Sequence, residues 1–128
     1  MRKEKFNFNN NFKNKKILVT GHTGFKGSWL TCWLVSLGAK VMGLSINVPS
    51  SPSHFKAINL KSKIKHKTAD IRNLKVMKKI VKKYQPDYVF HLAAQSIVKK
   101  SYSNPIYTWE TNTIGTLNIL ESLREIKK

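Results

Sequence analysis

Two hydrophobic periods alternate along this chain. Lys16-Ile17-Leu18-Val19-Thr20 is a short apolar run that stops at a glycine, the pattern of a buried strand. From Phe25 the period lengthens. Phe25, Trp29, Leu30, Trp33, Leu34 and Leu37 recur every three or four residues, which predicts an amphipathic helix closed by Gly38. Trp29 and Trp33, four apart, are expected to pack in the core on one face of that helix. Val41-Met42-Gly43-Leu44 reads as a second strand, so strand, helix and strand fit between residues 16 and 44 as a compact right-handed crossover.

The same alternation continues. Asn47 to Ser53, with Pro49, Pro52 and serines, is a loop, and His54 to Leu60 a candidate short helix. Ile64 to Ala69 reads as a third strand ending at Asp70. Leu74, Met77, Ile80, Val81 and Tyr84 mark a second amphipathic helix, whose lysines (75, 78, 79, 82 and 83) fall largely on the solvated face; Pro86 ends it. Asp87 to Leu92 is a fourth strand running into Ala93-Ala94-Gln95. A last helix is expected from Asn104-Pro105, with Asn as cap and Pro in the first turn, and Ile106, Trp109, Thr113, Leu117, Leu120 and Leu123 as its apolar side. Strands alternating with helices predict an α/β fold, a parallel sheet covered on both faces.

Composition changes this picture little. The 128 residues, 41% apolar, suffice for one core. Residues 1–15 form a basic, Asn-rich arm carrying Phe6, Phe8 and Phe12, and 16–128 the domain. A single cysteine, Cys32, excludes an internal disulfide and reads as a small buried hydrophobe. The four histidines, His22, His54, His66 and His91, have no metal-ligand spacing and are read as structural or exposed. No stretch approaches the ~20 apolar residues of a membrane span, and the basic N-terminus lacks an apolar signal core, so a cytoplasmic protein with no membrane partner is expected. The net charge of +18 admits an anionic partner. Lysines spread over solvated helix faces account for that charge without one, and nucleic acid is not the expected partner.

The chemistry lies between the first strand and the first helix. Gly21, Gly24 and Gly27 stand three apart in Thr20-Gly21-His22-Thr23-Gly24-Phe25-Lys26-Gly27. The first glycine permits a tight turn, the second lets a pyrophosphate approach bare backbone, and the third lets helix pack on strand. Free amides of the first helical turn then point at the phosphates. Strand before and helix after make this the dinucleotide-binding context. It is not a Walker loop, because Lys26-Gly27-Ser28 reverses the required order. About 20 residues past the glycines an acidic residue ordinarily holds the cofactor ribose. Ser45 stands there instead, followed by Ile46 and Asn47; a Ser or Asn can still bond a ribose hydroxyl but discriminates poorly against a 2′-phosphate.

The segment Gly21-His22-Thr23-Gly24-Phe25-Lys26-Gly27-Ser28-Trp29-Leu30 resembles the opening motif of the extended short-chain dehydrogenase/reductases, and within them the CDP-glucose 4,6-dehydratase branch. So do Pro49 to Phe55, Ala69-Asp70-Ile71-Arg72, His91-Leu92-Ala93-Ala94-Gln95 and Thr111-Asn112-Thr113-Ile114-Gly115-Thr116, in register from about Lys16 onward. The resemblance implies a Rossmann-type parallel sheet, here partial, in strand order 3-2-1-4 with helices on both faces, and NAD as cofactor. It implies that Phe25 and Lys26 follow the pyrophosphate turn, which also holds Thr23. Asp70 and Ile71 would flank the adenine, the Asp70 carboxylate bonding its exocyclic amine; the residues alone equally allow Asp70 to cap a helix from Arg72. Leu92, Ala93 and Ala94 would pass beneath the nicotinamide, and Asn112 would be the family's helix asparagine. Gln95 and Ser96, at a strand's C-terminal end, are candidates for substrate contact.

The same resemblance implies a reaction on a nucleotide sugar, CDP-glucose. A tyrosine, tuned by a lysine four residues on, removes the 4-hydroxyl proton as hydride leaves for NAD⁺. Water is lost across carbons 5 and 6, and hydride returns to carbon 6. No Tyr-x-x-x-Lys occurs here: Tyr84, Tyr88, Tyr102 and Tyr107 are followed four residues on by Tyr88, Leu92, Ile106 and Thr111. The chain is therefore expected to be the cofactor-binding first part of a longer, homodimeric enzyme and inactive alone, with no catalytic residue of its own. An open, apolar fourth-strand edge is expected to make it marginally stable or self-associating. Another extended short-chain epimerase or dehydratase is the nearest alternative, and a non-enzymatic basic module binding nucleic acid or another anion the more distant one.

Overall fold

The computed structural model describes residues 10–126. The part of the basic arm with Phe6 and Phe8 lies outside them. Residues 10–15 are the turn leading into the first strand, and Phe12 packs edge-on against Tyr88, ring centroids 5.5 Å apart. The elements follow as β1 (Lys16–Thr20), α1 (Phe25–Ser36), β2 (Lys40–Ser45), α2 (His54–Ala57), a 3₁₀ turn (Leu60–Lys63), β3 (Lys65–Thr68), α3 (Leu74–Tyr84) and β4 (Tyr88–His91). Then come α4 (Val98–Ser103), α5 (Pro105–Trp109), a π-turn (Glu110–Ile114) and α6 (Gly115–Arg124).

The four strands form one parallel sheet in the order β3-β2-β1-β4. β1 and β2 are buried on both faces, which is why they read as unbroken apolar runs. Leu18, Met42 and Leu44 face a core closed by Met77 and Val81 of α3 and Ile119 of α6. Ile17, Val19 and Val41 face the opposite side, against Leu34 of α1. Gly38 (φ +81°) ends α1: its N–H bonds the Val35 carbonyl and that of Ala39 the Leu34 carbonyl, the paired bonds of a left-handed helix stop.

Two expectations about helix faces are overturned. Phe25, Trp29 and Trp33 are 75%, 54% and 49% exposed, and α1 instead buries Gly27, Ser28, Thr31 and Leu34. The glycine turn explains the inversion. It brings the start of α1 so near β1 that a Cβ on Gly27 would run into the Gly21 carbonyl. Small side chains therefore line the first turns beneath the helix, Leu34 enters the core only farther along, and Phe25, Trp29 and Trp33 turn outward. Cys32 is only half-buried.

The last helix is neither single nor packed by its large side chains. Asn104 caps α5, accepting from the Tyr107 N–H at 3.2 Å, with Pro105 in the first turn as expected. The π-turn then interrupts the helix. Beyond it α6 buries Gly115, Asn118, Ile119 and Ser122, while Ile106, Trp109, Leu117 and Leu120 are exposed. Gly115 lies against Ile71, where a Cβ would collide, and the Asn118 amide donates to the carbonyls of Ile71 and Arg72. The helix α4 precedes α5 without a hydrophobic period in the sequence to mark it: none of its residues is buried.

Candidate functional site

The turn from Gly21 to Gly27 sits where β1 meets α1. Gly21 has φ +74°, and its Cβ would lie 2.7 Å from the Ala93 nitrogen; both constraints demand glycine. Its N–H donates to the Leu44 carbonyl at 2.8 Å, and the Gly24 N–H donates back to Gly21 at 3.0 Å, closing the turn. Thr23 anchors the turn to the end of β2, its N–H donating to Ser45 Oγ at 3.3 Å and its hydroxyl to the Asn47 carbonyl at 2.6 Å. No side chain caps α1, so its first-turn amides are left for a ligand.

These elements border a cleft of about 570 Å³ at the C-terminal ends of the strands. Of the residues singled out in the sequence, Gly21, Thr23, Gly24, Phe25, Lys26 and Gly27 line it from the turn, and Ser45 from β2. Asp70 and Ile71 line it after β3, and Leu92, Ala93, Ala94 and Ser96 after β4. Ile71 is buried, whereas Lys26 and Ala94 are exposed. The structure thus gathers segments up to 75 residues apart around one space, where parallel sheets bind ligands.

Two expected residues lie outside the lining. Asn112 and Gln95 spend their polar groups on each other: the Gln95 N–H donates to Asn112 Oδ1 at 2.7 Å and the Asn112 amide returns to the Gln95 carbonyl at 3.0 Å. The Gln95 side-chain amide is further tied to Thr108 and Ile97. These bonds fasten the loop after β4 to the π-turn.

Asp70 does not cap α3; Asn73 does, accepting from the Val76 N–H at 3.1 Å. Asp70 accepts the Arg72 backbone N–H at 2.9 Å and a fork from the same guanidinium, with Nη2 at 2.6 Å. Those bonds hold its carboxyl below the usual carboxylate range. Arg72 also bonds Glu110 at 3.2 Å and lies 4.7 Å from the Tyr107 ring centre, linking the β3 loop to the last helical segment.

Asn47, named beside Ser45 as able to bond a ribose hydroxyl, lines the cleft too; sequence reasoning assigned no site role to Ile46, Pro49, Tyr107 and Thr111, all in the lining. Ile46 and Pro49 follow the end of β2, so the strand-end rule that picked Ser45 and Asn47 could have extended to them. Tyr107 and Thr111 stand four apart, yet the break in helical phase at the π-turn hid their common side. The Thr111 hydroxyl is buried and has no partner within the protein.

The four histidines are structural in different ways. His91 bridges Thr20 (2.6 Å) and Thr116 (3.0 Å), joining β1 and β4 to α6. His54 stacks on Trp29 with centroids 4.0 Å apart and meets Ser28 at 2.9 Å. His22 is fully buried under the turn and meets His66 of β3 at 2.8 Å. The site fits the pyrophosphate of a dinucleotide: bare backbone at three glycines, uncapped amides and one nearby cation, Lys26.

Residues 18–128 match the family model of GDP-mannose 4,6 dehydratase. The CDP-glucose 4,6-dehydratase of Salmonella typhimurium is 40% identical over 117 residues, covering 91% of this chain and 33% of that protein. The CDP-paratose 2-epimerase of Salmonella typhi is 32% identical, over 86% of this chain and 33% of its own length. The chain therefore spans about a third of the length of these curated relatives. Among solved structures, the epimerase Mth375 of Methanothermobacter thermautotrophicus superposes with a TM-score of 0.77 at 36% identity, covering 90% of this chain and 33% of that one. The UDP-glucose 4-epimerase of Thermus thermophilus in complex with NAD does so with a TM-score of 0.76 at 30% identity, covering 86% and 34%. The matched span, the parallel sheet and the glycine turn agree: this chain belongs to the GDP-mannose 4,6 dehydratase family, whose N-terminal, Rossmann-type portion it corresponds to.

Proposed function

We propose that this chain is the NAD-binding part of a nucleotide-sugar 4,6-dehydratase acting on CDP-glucose. The observation that carries the cofactor reading is the cleft itself, lined by the glycine turn, Lys26, Asp70 and Ile71 beside the uncapped start of α1; the turn, the α1 start and Lys26 would meet the pyrophosphate, and Asp70 and Ile71 the adenine. NAD is favoured over NADP because Ser45 to Ser51 carries no Lys or Arg to receive a 2′-phosphate. Leu92, Ala93 and Ala94, lining the cleft after β4, would border the nicotinamide side, and Ser96 beside them would be available to a ligand. Asn112 and Gln95 act indirectly, by holding the loop after β4. When bound, NAD would accept and return a hydride; the side chains on this segment bind and orient it.

The CDP-glucose reading rests on the 40% identity to the Salmonella typhimurium dehydratase, and homodimerisation of the complete enzyme is part of the same proposal. A chimaera joining this chain to the C-terminal two-thirds of that relative tests it. We expect dehydration of CDP-glucose in preference to GDP-mannose, and no 4-keto product from the present chain alone. Product from the chain alone, or a chimaera that prefers GDP-mannose, would refute the proposal.

A further inference from the structure

His22 occupies space that Gly43 leaves on β2, where a Cβ would run into the imidazole. Its Nε2 lies 2.8 Å from His66 Nδ1 and its Nδ1 3.0 Å from Ser45 Oγ, the atom that accepts the Thr23 N–H. A continuous polar path therefore runs from β3 through a buried ring to the backbone of the glycine turn. Two imidazole nitrogens 2.8 Å apart have room for one proton between them.

We propose that His66 is a positioning residue for the cofactor site, acting through His22 and Ser45 on the backbone N–H of Thr23. This rests on the cofactor reading above. With both rings neutral, the shared proton can sit on His22 Nε2, leaving Nδ1 to accept from the Ser45 hydroxyl. In that arrangement His66 holds its own proton on Nε2; when the pair takes up one more proton from solvent, the shared proton passes to His66 Nδ1 and the third occupies His22 Nδ1. Ser45 then changes from donor to acceptor beside the N–H it already receives. A second added proton would set two N–H groups head to head and break the bridge.

The surroundings favour the neutral pair. His66 is faced by His22 from the turn, by the Phe55 ring of α2 at 5.5 Å, and by the charge of Lys61 from the 3₁₀ turn. His22 is faced by Phe55 at 5.3 Å, by His66, and by the Leu44 backbone of β2. Burial lowers both histidines, His22 to about 4, with Lys61 adding to the effect on His66.

The test is an NMR pH titration of the ¹⁵N-labelled full chain, paired with calorimetric titration of NAD⁺. We expect the Thr23 amide to shift in step with the His66 ring, and NAD⁺ affinity to fall as that ring is protonated. His66→Phe should displace the Thr23 resonance already at pH 8 and weaken NAD⁺ by about fivefold to tenfold, the worth of one buried hydrogen bond. His66→Asn, whose amide replaces Nδ1 but does not titrate, should restore both to within about twofold. A Thr23 amide indifferent to the His66 titration in the unmodified chain overturns the proposal, even if the variants fail to fold. If NAD⁺ does not bind the unmodified chain at pH 8, the cofactor reading fails, and the Thr23 titration still decides the role of His66.

Discussion

His22 shows how a residue with a bland sequence signature carries a specific cost. The sequence marks it as an ordinary histidine between two glycines, because a partner on β3, 44 residues away, leaves no trace in spacing. By contrast Gly21, Gly24 and Gly27 were legible, since each answers a local steric demand. Burial lowers His22 from 6.5 to about 4, so the unfolded chain takes up this proton first as pH falls. The contribution is complete above pH 6.5, is lost progressively between 6.5 and about 4, and amounts to about 3 kcal/mol at most. Chemical denaturation from pH 8 to 4 should show that slope, and His22→Gln should flatten it. A parent chain equally stable at pH 7 and pH 5 would contradict this.

Among the elements, strand positions were read closely, and so was the buried face of α3, where Met77, Val81 and Tyr84 pack as the period expects, but the faces of α1 and α6 were not. β1 and β2 are buried on both sides, so an apolar run is enough to find them, whereas β3 and β4 at the sheet edges are only partly covered. In α1 and α6 the close approach of neighbouring segments (the Gly21 backbone against Gly27, the Ile71 side chain against Gly115) selects Gly27, Ser28, Gly115 and Asn118 for the inner face, against the usual rule that the large apolar side packs inward. Periodicity gives the correct helix and the wrong side of it. Ile106→Gln on α5, 71% exposed, should therefore change stability by no more than about 0.5 kcal/mol, as at other exposed positions. Ile119→Ala on α6, 2% exposed, should cost about 2–4 kcal/mol. Thermal melts of the two variants compare them directly, and a reversed order would restore the sequence-based assignment.

The whole molecule carries apolar surface that its own packing does not use. Among the described residues β4 pairs only with β1, and Ile106, Trp109, Leu117 and Leu120 stand exposed on the last helices. An unpaired strand edge beside such a surface favours association. Sedimentation of the chain should show concentration-dependent self-association, reduced by the double variant Leu117→Glu, Leu120→Glu; a monodisperse monomer at high concentration would contradict this. The cofactor cleft was legible at this scale because turn, strand ends and loops follow one topology. What covers the outer helices was not, because exposed apolar residues look like core residues until the packing is known.

The central claim is that the cleft at the glycine turn holds NAD⁺. Calorimetric titration of NAD⁺ into the full chain, beside the charge reversal Lys26→Glu, tests it most directly. The account predicts one site per chain, stronger for NAD⁺ than for NADP⁺, and weakened by about tenfold or more in the variant, where a carboxylate replaces the cation that lines the cleft at the glycine turn. No saturable binding, or binding that ignores Lys26→Glu, would contradict it.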